Sequence, residues 1–287
     1  MSELLAAAPW ALPVMATVLG LLVGSFLNVV IVRLPARLEW AWRRQAREFL
    51  GQPAEEPPPP GLLFERSRCP ACGAVIAWYD NVPLLSWLAL RGRCRSCRAP
   101  IPLRYPLVEG LTALVTLAVV MRFGPSAEAT AMLLLSWLLI AMAVIDLRTT
   151  WLPDELTLPA LWLGLLSAAA GLFVGPREAI LGAAVGYLSL WSVYWAFRLL
   201  TGKEGMGYGD FKLLAALGAF AGWQGILPIV LISSLLGAVV GSVYLALCRK
   251  DRATPIPFGP FLALAGWSYL MVGYRLRALW GAWLAGP

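Results

Sequence analysis

Two aspartates in otherwise apolar surroundings carry the strongest chemical signal in this chain. Asp146 ends the run Met132-Leu-Leu-Leu-Ser-Trp-Leu-Leu-Ile-Ala-Met-Ala-Val-Ile-Asp146. Asp210 closes the stretch Gly205-Met-Gly207-Tyr-Gly209-Asp210 and opens another apolar run. A carboxylate at a membrane-helix end is costly, and such residues mark functional sites. Paired carboxylates that share one proton activate water against a peptide bond. Gly207 and Gly209 allow a tight loop and leave room for an extended substrate. One aspartate before a helix is more often a cap than a catalyst; two on one membrane face are a stronger sign. Four cysteines form a second constellation. Cys69-Pro-Ala-Cys72 and Cys94-Arg-Ser-Cys97 are separated by 21 residues, slightly beyond the common spacing for a four-cysteine zinc site. The zinc is expected to be structural, because a short insert with few apolar residues needs a staple. Cys248 has no partner nearby in sequence and reads as an apolar residue at a helix end.

The elements that hold these residues are membrane helices. Of 287 residues, 60% are hydrophobic and only 14% charged, with a mean hydropathy of +0.73. No soluble globular domain has this composition. Spans of roughly 20 apolar residues are expected near 12–32, 105–121, 129–146, 157–174, 179–199, 211–223, 226–247 and 257–274. The border between the sixth and seventh, at Gly222-Trp-Gln-Gly225, is open. With the N-terminus outside, 19 of the 23 Lys and Arg fall on the cytoplasmic side, leaving Arg122, Arg177, Arg275 and Arg277 outside. That asymmetry follows the positive-inside rule. It accounts for the net charge of +7 without a nucleic-acid partner. The absence of histidine excludes a histidine-based triad or haem ligand. The first apolar run lacks a preceding basic residue and is long enough to span, unlike a cleavable signal.

Three segments follow: a first helix over 1–32, a cytoplasmic insert over 33–104 and a seven-helix core over 105–287. The insert opens with Leu38, Trp42, Ala46 and Phe49 at helical spacing among arginines. This pattern predicts an amphipathic helix on the membrane surface or against the insert. Pro57 to Pro60 form a stiff linker. Asp210 is expected to be the N-cap of the sixth helix. The helix dipole makes Asp210 the ionised base and leaves Asp146 holding the shared proton. Glu109, Asp154, Glu155 and Glu204 are expected at the cytoplasmic membrane face and are candidate substrate-binding acids. Lys212, one turn into the sixth helix, is a candidate to act on the pair electrostatically.

Beyond these residues, the chain resembles the type IV prepilin peptidases, bifunctional leader peptidases and N-methyltransferases of type IV pilus and type II secretion systems. The likeness runs through Gly24-Ser-Phe-Leu-Asn28, Arg33-Leu-Pro35, Arg66-Ser-Arg-Cys69-Pro-Ala-Cys72 and Asn81-Val-Pro-Leu-Leu-Ser-Trp87. It continues through Arg104-Tyr-Pro-Leu-Val-Glu109, Ile145-Asp146-Leu-Arg148, Leu152-Pro-Asp154, Lys203-Glu204-Gly-Met-Gly-Tyr-Gly-Asp210-Phe-Lys212 and Pro257-Phe-Gly-Pro260. The resemblance implies an all-α polytopic protein of the bacterial inner membrane with eight membrane helices. It implies Asp146 and Asp210 as catalytic residues and the four cysteines as a structural element. The implied substrates are type IV prepilins or pseudopilins, cut after the glycine ending a basic leader on the cytoplasmic side. The new N-terminus is then methylated with S-adenosylmethionine as donor. No soluble methyltransferase βαβ pattern or glycine-rich cofactor loop occurs in the insert. A peptidase without transferase activity, a transporter using the aspartates as a relay and a zinc-knuckle scaffold are the competing readings.

Overall fold

The computed structural model describes residues 8, 10–53, 57–63, 65–248 and 256–284, with backbone alone for 248 and 274–284. Arg249, Lys250 and Arg252 of the charge asymmetry, and the side chains of Cys248, Arg275 and Arg277, lie outside the described residues. Among the described residues the fold is helical and has no strands, only two isolated bridges, Arg68 with Val75 and Arg93 with Pro100. The chain divides into two compact units, Met1–Met121 and Arg122–Pro287.

The first unit is built on α1 (Ala11–Phe49), the short α2 (Leu85–Ala89) and α3 (Arg104–Phe123). The amphipathic stretch is not a separate helix. It continues the first apolar run through Pro35 as one helix of 39 residues, about 58 Å long. Pro35 removes one backbone donor, but good helix formers on both sides carry the helix past it. Trp42, Ala46 and Phe49 of the stripe are exposed rather than packed on the insert.

Arginines of α1 tie the proline-rich segment down. Arg37 Nη1 donates to the Pro59 carbonyl at 2.9 Å, and Arg33 donates to the carbonyls of Gly61, Glu65 and Arg66. α1 and α3 approach closely at Gly24, where a Cβ would stand 2.7 Å from the Glu109 Cα. Asn28 Nδ2 bridges the pair by donating to the Tyr105 carbonyl at 3.1 Å.

The second unit contains α4 (Ala127–Thr149), α5 (Asp154–Ala169), α6 (Pro176–Thr201), α7 (Tyr208–Ala221), α8 (Ile226–Cys248) and α9 (Gly259–Leu284). A 3₁₀ turn at Trp223–Gly225 fixes the open border between α7 and α8. α7 is the centre of this unit. From Asp210 to Ala221 every residue except Lys212 is buried. A helix apolar all round belongs inside a bundle, and α7 packs mainly on α6 and α5. Gly182 and Gly186 of α6 face Gly218 and the Leu214 carbonyl of α7 with no space for a Cβ. Small residues that let helix backbones meet are typical of membrane bundles. Gly218→Ala should therefore cost about 1–3 kcal/mol through overpacking, read as a lower unfolding temperature in detergent. An unchanged temperature would contradict this close contact.

Among the described residues, five helical stretches are long and apolar enough to cross a membrane: Ala11–Phe49, Arg104–Phe123, Ala127–Thr149, Pro176–Thr201 and Trp223–Leu247. α5 and α7 are apolar but have only 16 and 14 residues. α5 ends at Ala169, five residues before the expected 174. There Gly171 takes φ +73° and its N–H bonds the Ala168 carbonyl, while Leu172 bonds Ser167. A glycine in the left-handed region stops a helix in this way.

Candidate active site and cysteine centre

Asp146 lies in the last turn of α4, three residues before its end at Thr149. Thr150 then adopts φ +57° and returns its N–H to the Asp146 carbonyl at 2.8 Å. The Asp146 side chain is buried, and its Oδ2 accepts the backbone N–H of Gly259 at 2.9 Å.

Asp210 is also buried, but it is not the N-cap. Tyr208 starts α7 with Gly207 in the N-cap position, which makes Asp210 the third helical residue. The glycines supply no competing cap side chain. The Asp210 carboxylate lies beside Gly207, where a Cβ would stand 3.9 Å from Asp210 Oδ2. Its Oδ1 is buried and makes no hydrogen bond among the described residues. An unsatisfied buried acceptor calls for a functional explanation.

The two aspartates are 64 positions apart in sequence and are brought together in space. Leu152 links their surroundings. A Cβ on Gly209 would lie 2.6 Å from the Leu152 Cβ, and one on Gly259 would lie 3.2 Å from the Leu152 Cδ1. The geometry is thus a buried carboxylate pair with one free acceptor oxygen. Such a pair can exchange a proton with water and with a carbonyl oxygen.

The supporting residues divide into three groups. Lys212 does not act as a lone charge on the aspartates. Its Nζ donates to both oxygens of Asp154 at 2.6 Å, which engages Asp154 as well. Lysine near a helix N-terminus meets the positive end of the dipole, and the carboxylate at the start of α5 offsets that. Glu155 is exposed, and Glu204 pairs loosely with Arg198 at 3.6 Å. Glu109 is not at a surface. It is buried in the first unit, and its Oε2 accepts the Leu84 N–H at 2.8 Å. Its carboxylate is therefore not presented to solvent as those of Glu155 and Glu204 are. Gly259 was the residue sequence reasoning missed. Its signal was the Pro257-Phe-Gly-Pro260 string, which shows no chemistry until the backbone is placed.

The four cysteines meet in the first unit. The Sγ atoms of Cys69, Cys72, Cys94 and Cys97 all lie within 4.8 Å of one another. Each pair sits on a tight hairpin. Cys69 N–H bonds the Ala74 carbonyl and Gly73 N–H returns to Cys69; Cys94 N–H bonds Ala99 and Arg98 N–H returns to Cys94. The residue after each second cysteine takes positive φ, +70° at Gly73 and +62° at Arg98. Backbone N–H groups of Cys72 and Ala71 point at Cys69 and hold its thiol down at about 6. Cys69 and Cys97 Sγ are 3.8 Å apart. A tetrahedron with metal–sulfur bonds of about 2.3 Å has edges of about 3.8 Å, so the donor set fits zinc.

Arg95, inside the second pair, forms two hydrogen bonds of 2.7 and 2.6 Å with Asp80. The guanidinium holds the Asp80 carboxyl below its ordinary value. The contribution of this pair is present at neutral pH and is lost as pH falls through that lowered value.

Residues 18–123 match the profile of the bacterial peptidase A24 N-terminal domain, and residues 133–242 match the type IV leader peptidase family. Over 259 residues the chain is 58% identical to the prepilin leader peptidase/N-methyltransferase of Xanthomonas campestris pv. campestris, covering 90% of each chain. The chain belongs to the type IV leader peptidase family. Within that family it is also 55% identical over 281 residues to the prepilin leader peptidase/N-methyltransferase of Stutzerimonas stutzeri, covering 96% of each. The enzyme of the same name from Pseudomonas aeruginosa is 54% identical over 276 residues, covering 96% of this chain and 95% of its own. No solved structure matches. The family's C-terminal match includes both aspartates, and the N-terminal match includes all four cysteines. Gly259 lies beyond both.

Proposed function

We propose that this chain is a two-step enzyme of the bacterial inner membrane. It cleaves the basic leader from type IV prepilins or pseudopilins after glycine on the cytoplasmic side. It then methylates the freed amine with S-adenosylmethionine. The names of the relatives, at 54–58% identity, support both reactions. The juxtaposition of Asp146 and Asp210 carries the cleavage chemistry.

One carboxylate takes a proton from water as the water oxygen attacks the scissile carbonyl carbon. The other, protonated, donates its proton to the carbonyl oxygen. The tetrahedral intermediate collapses, and the leaving nitrogen departs as an amine after receiving a proton from the pair. Asp210 lies in the first turn of α7 and Asp146 in the last turn of α4, and the helix dipole favours the anion at Asp210. In this reading Asp210 is the base, although the pair titrates as a unit. S-adenosylmethionine, when bound, would supply the methyl group to the freed amine, which would give up one proton to solvent while S-adenosylhomocysteine is released.

The membrane arrangement in this reading has eight spans with the N-terminus outside, with α5 and α7 the short ones. Cys69, Cys72, Cys94 and Cys97 hold one structural zinc that shapes the insert. Glu155 and Glu204 remain accessible to a basic leader, whereas Asp154 is engaged with Lys212. Reversing both charges, Glu155→Lys with Glu204→Lys, should raise KM for a prepilin roughly tenfold or more with little change in kcat, because rim charges steer encounter. An unchanged KM would remove these residues from substrate docking. Cleavage itself is tested by N-terminal sequencing of the product: a prepilin left intact by folded enzyme would overturn the reading.

A further inference from the structure

The turn that starts α9, Pro257-Phe258-Gly259-Pro260, reaches the aspartate pair through its backbone. The first N–H groups of a helix lack carbonyl partners within it. In α9, Phe261 and Leu262 both donate to the Phe258 carbonyl. Gly259, buried at the first position of α9, instead donates to Asp146 Oδ2 at 2.9 Å. The same residue leaves no space for a side chain. A Cβ there would lie 2.7 Å from that oxygen and 3.3 Å from the Asp146 Cγ. Any larger residue would therefore push the carboxylate that its own N–H holds.

Leu152 extends the arrangement to the second aspartate. It is buried and stands against both Gly259 and Gly209, the residue that precedes Asp210. One apolar side chain is wedged between the glycine that touches Asp146 and the glycine next to Asp210. We infer that Gly259 is a positioning residue for Asp146: its N–H fixes one carboxylate oxygen, and its bare Cα, with Leu152 and Gly209, sets the separation of the two aspartates. This rests on the reading of Asp146 and Asp210 as the cleaving pair.

Two variants of the full-length enzyme in detergent test it. Gly259→Ala displaces the carboxylate while keeping the N–H. Replacing Gly259 with glycolic acid turns that one amide into an ester, which removes the donor and adds no atom to the site. Both should lower kcat for prepilin cleavage, the alanine variant on the order of 100-fold, since a misplacement of about 1 Å costs that much. KM should stay unchanged, and the pH–rate profile should move. Gly237→Ala in α8, where the nearest atom to a Cβ is in the Phe261 ring at 3.3 Å, should keep the parent kcat.

Should the alanine variant fail to fold, the ester variant decides. Parent-like kcat and pH profile in a folded Gly259 variant, with Asp146→Asn inactive, would overturn the positioning role. An active Asp146→Asn would instead overturn the assignment of the cleaving pair, whatever the Gly259 variants do.

Discussion

Asp146→Asn and Asp210→Asn should each lower kcat for prepilin cleavage by at least about 10³-fold while leaving the protein folded. General acid–base catalysis contributes about 10²–10⁴-fold, and an amide can neither take the water proton nor give one to the carbonyl. The loss corresponds to about 4 kcal/mol of barrier, at 1.36 kcal/mol per decade. Folding should survive because asparagine keeps the shape of the side chain. At position 146 its carbonyl oxygen can still accept the Gly259 N–H that Asp146 Oδ2 accepts. At position 210 the buried oxygen Oδ1 has no partner to lose. The double variant should be no slower than the worse single variant, because residues that act as a unit are not additive. Initial-rate cleavage assays beside unfolding temperatures check this. A folded single variant with near-parent kcat would remove that aspartate from the chemistry.

Removing the metal from the cysteine centre should have the second large effect. Structural zinc in small domains is bound with an apparent free energy of about 10–16 kcal/mol, which is folding free energy. Besides the metal, the two hairpins around Cys69–Cys72 and Cys94–Cys97 are closed by a few backbone hydrogen bonds, one isolated bridge each and the Arg95–Asp80 pair on the second. Metal analysis should find one zinc per chain under reducing conditions. Cys69→Ser with Cys97→Ser, or a strong chelator, should make residues 66–100 sensitive to protease, while the helices of the second unit stay protected. An insert equally resistant with and without metal would contradict a structural zinc.

Much of the candidate site was legible because its chemistry sits in residue types that are rare in such surroundings. A carboxylate in an apolar run and four cysteines in two close pairs stand out without any fold. The surrounding contacts were not legible, because they depend on which helix ends meet. Lys212 follows Asp210 by two positions, yet its charge goes to Asp154 across the bundle. Glu109 looks like a helix-end acid, but its carboxylate is buried and accepts the Leu84 N–H, 25 positions away in sequence. The N-cap at Gly207 was missed because Asp210 is the better capping residue by type; the glycine turn sets the helix start three residues earlier. Gly259 acts through its backbone and its lack of a side chain, and neither property can be read without a neighbour. Helix lengths were read well where the chain stays apolar and poorly where a glycine in the left-handed region, such as Gly171, ends a helix inside an apolar run.

The measurement that bears most directly on the proposed function is the intact mass of a purified prepilin after incubation with this enzyme and S-adenosylmethionine, in detergent or lipid. The expected product has lost its leader and gained one methyl group. The leader is lost even when the methyl donor is omitted, and neither change occurs with Asp146→Asn or Asp210→Asn. A shortened but unmethylated product would confine the chain to the peptidase reaction. An unchanged prepilin in the presence of folded enzyme would contradict the aspartyl peptidase itself.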